Sequence, residues 1–182
     1  MECYVMSLVV FIGCLTFSQA KATNLNLIPD TCMKISKSDP KNINYDFCVK
    51  ALTSYRRSTN PTIDELVEIS FKLSSSKAQS IITTIAKLRK DPKLSPFAKS
   101  ALGTCSDLYS DAQSDLQEGL DALKGKDLST ANVRISAAMD SGPDCEDTFK
   151  EKEGEASPLT KENSEYFKLA DIFLAFTVIL KK

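Results

Sequence analysis

The segment Cys32–Cys48 has the sequence CMKISKSDPKNINYDFC, and each of its two cysteines lies eight positions from Pro40 in a polar, turn-forming run. This symmetry can arise in three ways. The segment could be a hairpin closed by a disulfide, it could supply half of a metal site, or the spacing could be coincidental. The choice matters because it sets the compartment and the class of activity to consider.

A second pair of cysteines has the same relation to a turn residue. Cys105 and Cys145 each lie twenty positions from Gly125. These four cysteines allow three pairings among themselves. If the chain reverses at Pro40 and at Gly125, each cysteine comes to lie opposite its neighbour in sequence. The spacing therefore predicts two structural disulfides, Cys32 with Cys48 and Cys105 with Cys145.

The composition removes several classes of chemistry. The 182-residue chain has no histidine, 23 basic residues and 24 acidic residues. Without histidine, Ser/His/Asp or Cys/His catalytic sites and His-ligated metal sites are excluded, and no Cys-x-x-Cys pair is present. We expect no cofactor and no metal, and we expect the protein not to be an enzyme. The net charge of −1 gives no indication of binding to nucleic acid or to an anionic membrane.

Residues 1–22 have the pattern of a signal peptide. An apolar run, SLVVFIGCLTF, precedes SQAKA, in which small residues take the A-x-A arrangement of a cleavage site. We predict cleavage after Ala22, with Ala20 as the alternative, and a secreted, extracellular protein. A buried N-terminal element is the competing interpretation, and the absence of Lys and Arg from MECY is atypical of a signal peptide. Cleavage would remove Cys3 and Cys14 and leave the four paired cysteines.

The remaining chain has the periodicity of an all-α protein, with apolar residues recurring every three or four positions. We predict an up-and-down bundle of four helices over residues 62–182 and a smaller N-terminal hairpin over residues 23–58. Capping signals place three of the helices. One helix begins with the capping box TIDE and covers residues 62–90, the next begins at Ser95-Pro96 and ends at Gly125, and the third begins near Asp127. The last covers about residues 161–180.

Two features of these helices need an interpretation. Pro143 lacks an amide hydrogen and its ring would clash with the preceding turn, which predicts a kink or break in the third helix. The last helix ends in the apolar run IFLAFTVIL. This run is shorter than the ~20 residues of a membrane span and Asp171 interrupts it, so we expect a central bundle helix rather than a membrane anchor.

The turn between the second and third bundle helices is a candidate contact site. At a rise of 1.5 Å per residue, it would lie about 30 Å from the Cys105–Cys145 disulfide. An exposed turn on a rigid scaffold is a common place for binding residues, although a plain interhelical turn accounts for these residues equally well. The predicted contact residues are Lys126, Asp127, Leu128, Ser129 and Thr130.

Several segments of the chain together resemble the plant invertase and pectin methylesterase inhibitor family. They are YDFCVKAL, CSDLYSDAQSDLQEGLDAL and ISAAMDSGPDCEDTF, and the resemblance extends from about Leu27 to Leu180. It implies a four-helix bundle after a helical hairpin, paired neighbouring cysteines and an inhibitor domain over residues 23–182. It also implies a secreted inhibitor, in the apoplast and cell wall or in the vacuole, that forms a one-to-one complex with its target enzyme.

The resemblance leaves the target open. Invertase inhibitors of this family place a Pro-Lys-Phe motif at the turn between the second and third bundle helices and insert it into the active site of invertase. Leu128, Ser129 and Thr130 occupy those positions here. Overall similarity leads us to expect inhibition of plant acid invertase by occlusion of its active-site cleft. The alternatives are inhibition of pectin methylesterase, or a pollen-type structural protein or allergen that keeps the scaffold without inhibiting.

Overall fold

A computed structural model describes residues 27–55 and 61–181, and all the regular secondary structure within these ranges is helical. The described helices are Leu27–Ser38 (α1), Tyr45–Ser54 (α2), Ile63–Leu88 (α3), Pro96–Lys124 (α4), Leu128–Lys150 (α5) and Thr160–Ile179 (α6). The predicted signal peptide, residues 1–22, lies outside the described residues.

The long helices α3 to α6 form a closed up-and-down bundle. The most extensive packing is between α4 and α5, and the ring is completed by the pairs α5–α6, α3–α4 and α3–α6. The hairpin of α1 and α2 packs mainly on α6. The prediction of an all-α bundle preceded by a hairpin is therefore confirmed.

The helix starts follow the capping signals in the sequence. Thr62 accepts a hydrogen bond from the Glu65 amide at 3.2 Å, and the Glu65 carboxylate accepts one from the Thr62 amide at 2.7 Å. Ser95 caps α4 by accepting from the Ala98 amide at 3.0 Å. Each such cap contributes roughly 1 kcal/mol, so the boundaries of α3 and α4 are determined locally.

Two glycines of α4 show how closely its neighbours approach. A Cβ atom at Gly119 would lie 2.5 Å from Cγ1 of Ile135, so α4 and α5 meet where no side chain fits. At Gly103, a Cβ atom would meet only the guanidinium of Arg89, at 3.6 Å. Gly119 is thus required by packing, whereas Gly103 has room for a methyl group.

Both predicted disulfides are present. Cys32 and Cys48 have Cα atoms 5.7 Å apart and join α1 to α2. Cys105 and Cys145 have Cα atoms 4.9 Å apart and join α4 to α5. The sequence separations of 16 and 40 residues correspond to a stabilisation of about 3 and 4 kcal/mol in the chain-entropy model.

Helix α5 is continuous from Leu128 to Lys150 and contains Pro143 in its interior. Of the kink or break predicted at this proline, the break is therefore wrong. Contacts on both sides of Pro143 hold the helix in place. Gly142 packs so closely on α6 that a Cβ atom would lie 3.0 Å from the carbonyl oxygen of Asn163, and Cys145 is bonded to α4.

Helix α6 is a core helix, as its interrupted apolar run predicted. Tyr166, Phe173 and Phe176 are fully buried in the bundle. Asp171 is also buried, with 5% of its surface exposed, and faces the α1–α2 hairpin. None of the helices in the described ranges is long and apolar enough to cross a membrane.

Candidate functional site

The turn between α4 and α5 is a compact reversal. The Lys126 amide donates to the Leu123 carbonyl at 3.1 Å, and the Asp127 amide donates to the Ala122 carbonyl at 2.9 Å. This pair of bonds is the Schellman arrangement, in which the residue after the C-cap takes a left-handed conformation. Gly125 is the C-cap, as predicted, but the left-handed residue is Lys126, with φ = 61°.

The left-handed Lys126 is a strained position. Residues with a Cβ atom pay roughly 1–2 kcal/mol for this conformation, which is why glycine is usual there. Lys126 is exposed. The hydrogen bonds that end α4, and not the intrinsic preference of lysine, hold its backbone in the left-handed conformation. Strain of this kind concentrates at functional sites.

The other predicted contact residues form the first turn of α5. Asp127 caps this helix by accepting from the Thr130 amide at 3.0 Å and from the Thr130 hydroxyl at 2.7 Å. These hydrogen bonds hold the pKa of Asp127 below its usual value. Leu128 is half-buried against the core, while Ser129 and Thr130 are exposed. The exposed side chains at the start of α5 are therefore small and polar, and no aromatic side chain projects from the turn.

A groove of about 560 Å³ lies beside this turn. Lys126 and Leu128 line one side, the start of α3 contributes Asp64 and Glu68, and Leu180 closes the groove after α6. We call these five residues the tip surface. Of the predicted contacts, Lys126 and Leu128 line the groove, whereas Asp127, Ser129 and Thr130 lie beside it.

Sequence reasoning missed the contributions of α3 and α6 to this surface. In an up-and-down bundle the start of α3 and the end of α6 reach the same end as the α4–α5 turn, so the predicted topology was the signal that could have located them. Lys124 and Glu68 form a salt bridge of 3.0 Å across the groove. The hydrogen bond to Lys124 lowers the pKa of Glu68.

Ion pairs and hydrogen bonds connect the helices below the turn. Arg134 of α5 binds Asp115 at 3.1 Å and Glu118 at 2.9 Å, both on α4. The Asn132 amide donates to the buried hydroxyl of Thr177 on α6 at 3.0 Å. These links and the close approach at Gly119 join α4, α5 and α6 at the end of the bundle that carries the tip surface.

The outer face of α4 is acidic. The helix carries five acidic residues between its only two basic residues, Lys99 and Lys124. The acidic residues are Asp107, Asp111, Asp115, Glu118 and Asp121. Asp140 and Asp144 add negative charge on α5, and partial burial together with Asp144 raises the pKa of Asp140. The α4–α5 pair therefore presents a polar face of one predominant sign.

A buried polar network surrounds the second disulfide. The Tyr109 hydroxyl donates to Oδ1 of Asn163 at 2.7 Å, and the amide of Asn163 donates to Glu146 at 2.5 Å. The ring of Tyr109 packs edge-on against Tyr166 at 4.9 Å. Burial raises the pKa of both tyrosines, so the two hydroxyls stay protonated. The network joins α4, α5 and α6 and has a structural role.

The fold is an up-and-down four-helix bundle that follows a disulfide-linked helical hairpin, with a second disulfide between α4 and α5. The family model for the plant invertase/pectin methylesterase inhibitor domain matches residues 26–176. This chain therefore belongs to that family, whose members are named as inhibitors rather than as enzymes.

Individual relatives carry the names of both kinds of inhibitor. The chain is 43% identical over 155 residues to a protein of Platanus orientalis named "Putative invertase inhibitor", covering 85% of this chain and 90% of that one. It is 38% identical over 177 residues to "Pectinesterase inhibitor 12" of Arabidopsis thaliana, covering 97% and 99%. A crystal structure of a mutant pectin methylesterase inhibitor from Arabidopsis has the same fold, with a TM-score of 0.65 at 24% identity over 80% of this chain and 96% of that one.

Proposed function

We propose that this protein inhibits a plant carbohydrate-active enzyme by binding over the active-site cleft of that enzyme in a one-to-one complex. Family membership supports inhibition as the activity. The contacts that join the helices beneath the tip surface support its use as a contact, because a backbone held by its neighbours loses less conformational entropy on binding.

Pectin methylesterase is the target that the shape of the turn favours. The invertase inhibitors that insert a Pro-Lys-Phe motif need side chains that project into a pocket. Here Leu128 packs against the core and the Thr130 hydroxyl donates a hydrogen bond to Asp127, so neither side chain projects from the turn. Inhibitors of the esterase use exposed polar faces of the bundle helices. The acidic face of α4 ends one helical turn before Lys124 at the groove, and it would extend the contact made by the tip surface.

Acid invertase is the second candidate. The specific observation in its favour is the 43% identity to the Platanus orientalis protein, which exceeds the 38% identity to the Arabidopsis pectinesterase inhibitor. If invertase is the target, Lys126 and its neighbours would have to make the contact without the aromatic anchor of the motif. We therefore expect weaker inhibition of invertase than of pectin methylesterase.

We also propose that the mature protein begins after Ala22 and acts outside the cell, in the apoplast or cell wall, or in the vacuole. Two disulfides in the described residues support this location, because disulfides of this kind persist in oxidising compartments. Sequencing the amino terminus of the protein recovered from plant tissue would test the cleavage site.

Parallel titrations would test the activity and the target. Purified, disulfide-bonded protein would be added in increasing amounts to pectin methylesterase and to acid invertase at mildly acidic pH. We expect loss of esterase activity with an endpoint near one inhibitor per enzyme. Full activity of both enzymes at excess protein would refute the inhibitor proposal, and preferential loss of invertase activity would reverse the target assignment.

A charge reversal at the turn would test the contact. We expect Lys126→Glu to weaken inhibition at least tenfold without changing the helical content measured by circular dichroism. Lys93→Glu is the matched control, because Lys93 is exposed in the connection between α3 and α4 at the opposite end of the bundle. Equal inhibition by both variants would place the contact away from the turn.

A further inference from the structure

A second groove runs between α1 and the end of α6. Its volume is about 590 Å³, within the range of small-ligand sites. Ile63, Val178 and Leu180 form an apolar floor. Val178 is 46% exposed, which makes it one of three large apolar side chains that the described residues leave open to solvent. The floor therefore offers apolar surface that no described part of the chain covers.

The wall of this groove is positively charged. Lys34 and Lys37 of α1 line it, and no acidic residue does so among the described residues. Neither lysine forms a salt bridge within the described ranges. This is a local departure from the chain as a whole, in which acidic residues outnumber basic ones.

A buried hydroxyl completes the wall. Thr31 lies one helical turn before Lys34 on the same face of α1, lines the groove and is 2% exposed. The threonine hydroxyl adds a neutral hydrogen-bonding group to the wall that carries the two lysines.

From these three observations we propose that this groove binds a small amphiphilic anion, specifically a monocarboxylate with an apolar body. The apolar body would cover Ile63, Val178 and Leu180. The carboxylate would lie against Lys34 and Lys37, where charge-assisted hydrogen bonds are strongest. A sugar polymer fits less well because it would leave its hydroxyls against an apolar floor.

Isothermal titration calorimetry with dodecanoate would test the proposal. The titration would use the disulfide-bonded mature protein and dodecanoate below its micelle-forming concentration. We expect saturable binding with one site per chain. The double variant Lys34→Glu/Lys37→Glu should bind at least tenfold more weakly. Lys41→Glu is the matched control, because Lys41 is exposed in the α1–α2 turn and does not line the groove.

Two further measurements test whether binding is specific to this groove and to its charge. Dodecanol has the same apolar body without the charge and should bind at least tenfold more weakly than dodecanoate; equal binding would overturn the role of the lysines. Amide shifts on dodecanoate binding should be confined to residues 31–38, 63 and 178–180. Absence of saturable binding, shifts elsewhere, or binding only to anionic vesicles and not to monomeric dodecanoate would each refute the proposal.

Discussion

Replacing Asp171 by asparagine should remove a pH dependence from the stability of this protein. The side chain lies in α6 against the α1–α2 hairpin, and its Oδ2 atom has no hydrogen-bond partner in the described residues. Burial, and secondarily the charge of Asp39 in the hairpin turn, raises the pKa of Asp171 from 3.8 to about 6. The folded protein therefore keeps a proton that the unfolded chain releases.

The sign follows from proton binding. Between about pH 4 and pH 6 the folded state binds more protons than the unfolded state, so the free energy of unfolding falls as the pH rises. A shift of about two pH units corresponds to about 3 kcal/mol at 1.36 kcal/mol per unit. Water and local relaxation at the boundary between hairpin and bundle reduce this, and we expect a loss of about 1–2 kcal/mol.

Urea unfolding followed by circular dichroism at pH 4.5 and pH 8 would measure this loss. The wild-type protein should be less stable at pH 8. Asp171→Asn should be more stable than wild type by about 1–2 kcal/mol at pH 8 and by about a third of that at pH 4.5, because the unfolded Asp171 carboxyl, with its ordinary pKa of 3.8, is already mostly ionised at pH 4.5. Asp111→Asn, at an exposed position on α4, is the control and should retain the wild-type dependence. A variant at Asp171 that keeps the wild-type loss of stability would refute the reasoning.

Four other variants test the turn, the helix packing and the second disulfide, each by urea unfolding. Lys126→Gly should stabilise by about 1 kcal/mol, because glycine accepts the left-handed conformation without strain; no gain would show that the turn is not strained. Gly119→Ala should destabilise by about 1 kcal/mol, since overpacking outweighs the gain in helix propensity, whereas Gly103→Ala should stabilise by a similar amount. A shared sign for the two glycine variants would contradict the packing argument. Replacing Cys105 and Cys145 together by serine should cost about 4 kcal/mol, and a loss below about 1 kcal/mol would show that the disulfide contributes little.

The ends of helices, which depend on residues close together in the chain, could be predicted from the sequence. The capping box at Thr62, the serine cap at Ser95 and the position of Gly125 are local signals, and the structure follows each of them. The mirrored cysteine spacing was informative for a related reason, because two helices that reverse at a known turn place equidistant residues opposite each other.

Features set by distant contacts were not predictable in the same way. Helix α5 continues through Pro143 because α4 and α6 hold its two sides, and that support is not visible in the local sequence. Leu180 is part of the tip surface because the end of α6 lies beside the α4–α5 turn, and that neighbourhood depends on the tertiary fold. The left-handed conformation falls on Lys126 rather than on Gly125 because of the register of the hydrogen bonds that end α4.

The separation of the second disulfide from the α4–α5 turn has a consequence for how such proteins diverge. The two cysteines of the disulfide that joins α4 to α5 lie about twenty positions from the turn on either side, so the turn can change its side chains without weakening that bond. If the turn is part of the contact, as proposed, its side chains could diverge and change the target while the disulfide is kept. For the same reason, the turn is a suitable position for grafting a foreign recognition peptide onto this scaffold.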